Sequence, residues 1–517
     1  MPEYLAPGVY VEEIERGPKP IEGVATTTTA FLGETERGPT RPRTITSYGE
    51  YLRLFGDVFG PDKYLPYAVK AFFDNGGRRA YIARIVGDLP AGRTGMSEAM
   101  LDTFTVRANG PGAASDRIWA RIDPGTTRKS DGTPAGFRLR VFYWDRAAAA
   151  VPFDPVDPAN AATAPKPTLS EDFDDLSIDP DSPNYWEKRV NNGNSSLIIL
   201  IASAPVSELP VAASAALTGG DDGAGPLAPA HYEGAHADAD KRTGLEALLL
   251  DSYRDVAIVS APGAAPDIAQ KVIAHCENNR FRFAVIDSPP NLADPGNFDP
   301  RSSLQDTKYA AFYYPWIVVS DPRSGKRIKV PPSGSVCGIY ALTDNTRGVW
   351  KAPANETIAG ALDLEYDVTH AAQEVLNPRG VNIIRRFPGR GIRVWGARTM
   401  SSDPLWKYIN VRRLFIFLEA SIYNSTRWVV FEPNDPRLWA RVKQTVTHFV
   451  RTQWREGALL GEKEEEAFTV AVGRETMTED DMLSGRLIVQ IGIAAVRPAE
   501  FVFFRICQKT SEAGPGA

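Results

Sequence analysis

Residues 256–287 read VAIVSAPGAAPDIAQKVIAHCENNRFRFAVID. Val256-Ala257-Ile258-Val259-Ser260 is an apolar run of strand length, closed by Ala261-Pro262-Gly263. From Pro266 to Asn278 the apolar residues fall at helical spacing, and Phe283-Ala284-Val285-Ile286-Asp287 is a second buried strand. Two short, wholly apolar strands joined by a helix predict a parallel βαβ unit, because parallel strands need a long crossover. The apolar stretch Tyr309–Val319, broken by Pro315, extends the same pattern.

Upstream, Thr28–Gly33 reads as a strand, Tyr48–Phe55 as a helix closed by Gly56, and Leu65–Phe73 as a helix stopped by Asn75-Gly76-Gly77. Ala80–Val86 is then a buried strand. The composition changes after Gly87. Phe104–Ala108 and Phe137–Tyr143 alternate polar and apolar residues, and a Pro/Ala/Asp-rich loop runs from Ala147 to Pro167. Residues 91–216 are thus expected to be a β-rich insertion, with Leu217-Thr218-Gly219-Gly220 marking the return. The acidic run Glu171–Asp175 reads as a solvated loop; it lacks the alternating ligands and central Gly of a calcium loop. Downstream, a helix is expected over Leu414–Thr426. The strongest one follows, capped by Asp435, opened by Pro436 and ended by Gly457, with Leu438, Trp439, Val442, Val446, Phe449, Val450 and Trp454 on one face.

Both ends of the chain carry strand-like runs with no local mate. Val9-Tyr10-Val11 lies in the first, and Phe501-Val502-Phe503-Phe504 in the second. Unpaired apolar strands must be covered by their own core or taken up by another chain's sheet edge. The expected fold class is an α/β (α+β) core with a mixed sheet, an inserted β-rich domain, and extended N- and C-terminal β-strand arms.

The 517 residues are 43% apolar and 24% charged, with net charge −6. That is globular composition for several domains, and the acidic balance argues against nucleic acid as a partner. No apolar stretch approaches the roughly 20 residues of a membrane span, and no secretion-signal layout opens the chain. The three cysteines, Cys276, Cys337 and Cys507, lack metal-clip spacing. His231, His236, His275, His370 and His448 form no HxxxH or HExxH pattern. Neither a GxSxG elbow nor a phosphate loop occurs; Gly219–Gly223 and Gly389-Arg390-Gly391 read as tight turns. No catalytic, cofactor or metal residue is therefore assigned. An α/β enzyme using residues 245–320 as a binding fold is the rival reading.

Asn382–Thr399, with Arg385-Arg386-Phe387-Pro388-Gly389-Arg390-Gly391 at its centre, resembles the signature of contractile tail sheath proteins. Trp428–Asn434, Pro7–Glu13, Leu217–Gly220 and Pro498–Val502 resemble further motifs of that family. The likeness spans about residues 1–90 and 217–507. It implies a structural subunit, not an enzyme, that stacks as six-membered rings around an inner tube and contracts to drive the tube through a target envelope. Copies of itself, the tube protein, and baseplate and terminal cap proteins are the implied partners, with no nucleic acid and no membrane insertion.

The implied layout is an N-terminal arm (1–20), a core (21–90 with 217–380), an outer insertion (91–216), an inner, tube-proximal domain (381–497) and a C-terminal arm (498–517). The arms would tie neighbouring copies through Val9, Tyr10, Val11, Phe501, Val502, Phe503 and Phe504. The basic helix would meet the tube through Arg441, Lys443, Arg451 and Arg455, with the acidic segment Thr478–Leu483 as a competitor. The opening Met1–Tyr10 looks more like sheaths of extracellular injection particles than of phage tails. Assembly is expected in the bacterial cytoplasm, with release by lysis.

Overall fold

The computed structural model describes residues 20–504, except 146–151, 162–164, 192, 203, 237, 239–240, 293–295 and 297. The expected strand at Val9–Val11 lies outside the described residues. The chain divides into a large unit, 25–413, and a small one, 414–517 with 1–24.

The large unit is mixed α/β. Its eight-stranded sheet runs in the order Gly391–Val394, Val381–Phe387, Ala310–Tyr314, Phe283–Asp287, Ile258–Ser260, Thr29–Gly33, Ala80–Arg84, Arg43–Ile45. The six inner strands are parallel, and both outermost strands pair antiparallel: Gly391–Val394 as a hairpin with Val381–Phe387, and Arg43–Ile45 with Ala80–Arg84 across two intervening helices. Every residue of Thr29–Gly33, Ala80–Arg84, Phe283–Asp287 and Ala310–Tyr314 is buried. This is why these strands read as continuous apolar runs rather than alternations. The predicted βαβ unit is present: helix Pro266–Asn279 links Ile258–Ser260 to Phe283–Asp287, which pair in parallel.

A helix that the sequence did not announce, Ser333–Arg347, packs on Leu65–Asp74. Gly334 and Gly338 make the approach possible. A Cβ at Gly334 would lie 2.3 Å from the carbonyl oxygen of Ala68, and one at Gly338 would lie 2.6 Å from that of Phe72.

Between Ala80–Arg84 and Ile258–Ser260 the chain leaves the large sheet. It builds a four-stranded antiparallel sheet (Ala213–Ala216, Ile118–Pro124, Phe137–Tyr143, Leu169–Leu176) and a three-stranded one (Glu98–Leu101, Phe104–Ala108, Ile198–Ala202). Both contribute to one apolar cluster that includes Phe104, Ile122, Leu139, Trp186 and Leu200. The alternation read at 104–108 and 137–143 reappears as alternating burial.

The acidic run corrects one expectation. Glu171–Asp175 is not a loop but part of strand Leu169–Leu176, paired with Phe137–Tyr143. Arg138 bonds Asp172 (2.8 Å from Nε), and the Thr126 and Thr127 hydroxyls donate to Asp174 and Asp175. A cross-strand arginine and hydroxyl donors from the loop after Pro124 satisfy carboxylates that, read locally, argue against a strand.

Val381–Phe387 pairs in parallel with Ala310–Tyr314 inside the large sheet, so the large unit continues to Arg413.

In the small unit, helix Ile409–Ser425 enters from the large unit and helix Pro436–Arg455 follows. The hairpin Phe468–Val472 with Val489–Ile493 forms a two-stranded sheet and packs on the second helix. The segment entering from the N-terminal side is fixed to the first helix: the Glu22 and Val24 amides donate to the Ser425 and Ser421 hydroxyls at 3.3 and 3.1 Å.

Candidate assembly surfaces

Helix Pro436–Arg455 begins as the sequence dictates. The Asp435 carboxylate accepts from the Leu438 amide at 2.8 Å, and Pro436 follows in the first turn. It ends before Gly457, whose φ of +93° suits glycine. Of the expected apolar face, Leu438, Val442, Val446, Phe449 and Val450 are buried, whereas Trp439 and Trp454 are only half-buried, their indole N–H groups donating to Asn434 Oδ1 and the Gly461 carbonyl.

The opposite face is a stripe. At 3.6 residues per turn, Arg437, Arg441, His448, Arg451 and Arg455 fall close to one line. Lys443 lies roughly a third of a turn away, so it does not belong with the other three expected contact residues. Arg437, left out of that set, completes the stripe; its i, i+4 spacing to Arg441 was the available signal. Arg441 pairs with Glu432 at 2.9 Å and lies 5.0 Å over the Trp428 ring. Arg451 grips Glu464 through two bonds of 2.7 and 2.8 Å, and this fork holds the Glu464 carboxyl below its ordinary range. Arg437, Lys443 and Arg455 are exposed, and the Arg455 charge also acts on Glu464.

The competing acidic segment forms a short helix, Glu479–Leu483. Its N-terminus is a capping box: the Thr478 hydroxyl accepts from the Asp481 amide at 3.2 Å, and Asp481 accepts from the Thr478 amide at 3.1 Å. Asp481 thus serves the cap, while Glu479, Asp480 and Leu483 are exposed.

The C-terminal run Phe501–Phe504 is in no strand of this chain, and its four side chains are 63–87% exposed.

His231 and His236 are each held by a carboxylate. His231 sits in a short helix, Pro229–Glu233, with Nε2 3.0 Å from Asp88, and His236 Nδ1 is 3.0 Å from Glu246. A cavity of about 210 Å³ opens at the carboxyl ends of Thr29–Gly33 and Ile258–Ser260, where an α/β enzyme would place its ligand. Its charged side chains include Lys63 and Glu34, paired to each other at 2.5 Å.

Profiles of two domains match the chain: the phage tail sheath protein central domain over residues 231–400, and the phage tail sheath C-terminal domain over 401–509. Together they cover more than half of it. A prophage major tail sheath protein of Pseudomonas aeruginosa is 26% identical over 322 residues, 60% of this chain and 76% of that protein. The tail sheath protein of Enterobacteria phage T4 is 31% identical over 110 residues, but these are only 20% of this chain and 17% of the phage protein. Among solved structures, the contracted PVC sheath of an extracellular contractile injection system superposes with a TM-score of 0.58 at 24% identity, over 99% of this chain and all of that one. The contracted anti-feeding prophage sheath gives 0.57 at 24%, over 98% and 100%. At that identity these two establish the fold.

Proposed function

The chain belongs to the phage tail sheath family and is a structural sheath subunit of a phage-tail-like system; on that premise we propose that it polymerises as stacked six-membered rings around an inner tube and shortens to drive the tube through a target envelope. The observation that carries this reading is the exposed run Phe501–Phe504. Four consecutive apolar side chains in water gain by burial, and an extended segment finds it most directly on an open sheet edge. The hairpin Phe468–Val472 with Val489–Ile493 is such a sheet, since two strands alone are marginal.

In this reading the C-terminal arm of one copy adds to the hairpin of another, and Val9, Tyr10 and Val11 supply the second tie. Main-chain bonds of this kind survive rotation of the bodies they join. The stripe Arg437, Arg441, Arg451 and Arg455 faces the tube, baseplate and cap proteins close the ends, and residues 91–216 form the outer insertion. The chain performs no catalysis. We place it in an extracellular injection particle, assembled in the cytoplasm and released by lysis, on the strength of its opening residues; the Pseudomonas prophage relative keeps a phage tail as the second setting. Neighbouring genes separate the two: capsid and terminase genes mean a phage, their absence beside an ATPase and toxin genes means an injection particle.

Negative-stain microscopy of the purified protein tests the main reading. Long hollow cylinders are expected; discrete globular oligomers would remove it and favour the enzyme alternative.

A further inference from the structure

We propose that Val430 and Phe431 form a rigid apolar anchor that seats in a hollow on the tube protein whose lip carries carboxylates. The inference rests on the reading of the arginine stripe as the tube-facing surface and adds the residue at its centre.

Phe431 has φ +69°, the left-handed region. A bulky L-residue is strained there, and glycine is the ordinary occupant. Its ring is fully exposed, and the Val430 side chain beside it is 63% exposed. Neither feature helps this chain fold: the backbone is strained and the apolar surface remains in water. Strain of this kind persists where surrounding structure enforces it, typically at functional points.

The enforcement is visible on both sides of the pair. Upstream, the Trp428 ring lies under the Arg441 guanidinium, which also binds Glu432 at 2.9 Å. The Glu432 amide donates to the Val429 carbonyl at 3.2 Å, closing the turn over Val430 and Phe431. Downstream, the Asn434 side chain accepts from the Trp439 indole at 2.7 Å and donates to the Arg486 carbonyl at 3.1 Å. The turn is bolted to the helix and to the segment leading into the hairpin's second strand, so the two side chains are held out rather than left loose.

The anchor and the stripe are one surface. Arg441 is both the root of the turn and a member of the stripe, and Arg427 and Arg437, which bracket the turn in sequence, are exposed. An exposed aromatic tip on a turn rooted in a row of cations is the arrangement of an interface hot spot, with charge setting orientation at the rim. The complementary partner is an apolar hollow edged by Asp or Glu.

Phe431→Gly separates folding from function. It removes the ring and relieves the strain, so the full-length variant should melt at or above the parent's temperature. Mixed with preformed tubes, it should sheathe them at least tenfold less efficiently than the parent, and Phe431→Met, which keeps an apolar tip, should restore most of the loss. Normal sheathing by Phe431→Gly overturns the anchor. So does a variant that fails to form cylinders even without tubes, because the contact then lies between copies. Arg451→Glu with Arg455→Glu distinguishes the two levels: if that pair abolishes sheathing and Phe431→Gly does not, the anchor falls and the stripe stands; if neither changes it, both fall.

Discussion

Arg413 and Asp344 form a buried ion pair, with guanidinium-to-carboxylate distances of 2.9 and 2.6 Å and side chains only 4% and 2% exposed. Asp344 also accepts from the Thr26 hydroxyl at 2.6 Å, and Arg413 donates to the Thr26 carbonyl at 2.9 Å. Arg413 is the last residue of the large unit and Thr26 almost its first. One carboxylate therefore secures both points at which the chain leaves that unit.

Removing one partner of a buried pair strands the other charge, at a cost of about 3–5 kcal/mol. Asp344→Ala should lower the urea midpoint of the large unit accordingly. Replacing both residues by apolar side chains of similar volume should cost less, since no unpaired charge remains. Equal losses in the two variants would contradict this account.

Asp287 gives the fold a pH dependence. Burial pushes its carboxyl up to about 6, against the opposing effect of hydrogen bonds from the Ser333 hydroxyl and the Gly263 and Ser333 amides. The folded value lies above the unfolded value of about 3.9, so the group's contribution is full below about pH 4 and is lost as pH rises through about 6. The two-unit gap amounts to roughly 3 kcal/mol. His275 acts oppositely: burial and the nearby Arg282 push it down to about 3, so its contribution is lost as pH falls below its unfolded value of about 6.5. The test is therefore a difference. The stability of the parent relative to Asp287→Asn should improve by up to about 3 kcal/mol from pH 7 to pH 4, and a flat difference would sink the claim.

Gly334 and Gly338 invert the usual helix preference. Alanine favours a helix over glycine by about 1 kcal/mol. Here an added Cβ would meet the Ala68 carbonyl at 2.3 Å or the Phe72 carbonyl at 2.6 Å, and neither backbone atom can step aside. Gly334→Ala and Gly338→Ala should each destabilise by about 1–3 kcal/mol in denaturant titrations; a gain in stability would mean that the two helices are less tightly seated.

The stripe predicts which cation matters. Lys443→Glu, off the stripe, should leave sheathing of preformed tubes unchanged, whereas Arg437→Glu should weaken it and make the remaining assembly more sensitive to salt. Loss with Lys443→Glu and none with Arg437→Glu would place the tube contact on another face.

The parts that were legible in the sequence are those whose local pattern agrees with their tertiary setting. Phe283–Asp287 was read to the residue because a strand buried on both faces leaves an unbroken apolar run. The basic helix was read through its Asp435 cap and its one-sided apolar face. Ser333–Arg347 escaped because it opens with Ser and Gly, poor helix formers, and is buried over most of its surface, which erases the periodicity. Leu169–Leu176 escaped because its carboxylates find their partners far away in sequence, in Arg138, Thr126, Thr127, Ser195 and Ser196. Val430 and Phe431 carried no sign of exposure, since a left-handed phenylalanine has no composition signature.

Phe501–Phe504 contributes little to the fold of its own chain, being exposed and unpaired. Removing residues from Phe501 onward should therefore change stability by no more than about 0.5 kcal/mol while abolishing polymerisation, judged by sedimentation and microscopy. Point changes sharpen the test. In an added strand, Phe501 and Phe503 share one face and Val502 and Phe504 the other. Only one face can lie against the neighbour's helix; the other remains nearer to water. Phe503→Asp and Phe504→Asp should then differ, one preventing cylinder formation and the other tolerated. If both form full-length cylinders, or if the truncated chain does, the run does not join the copies by strand addition.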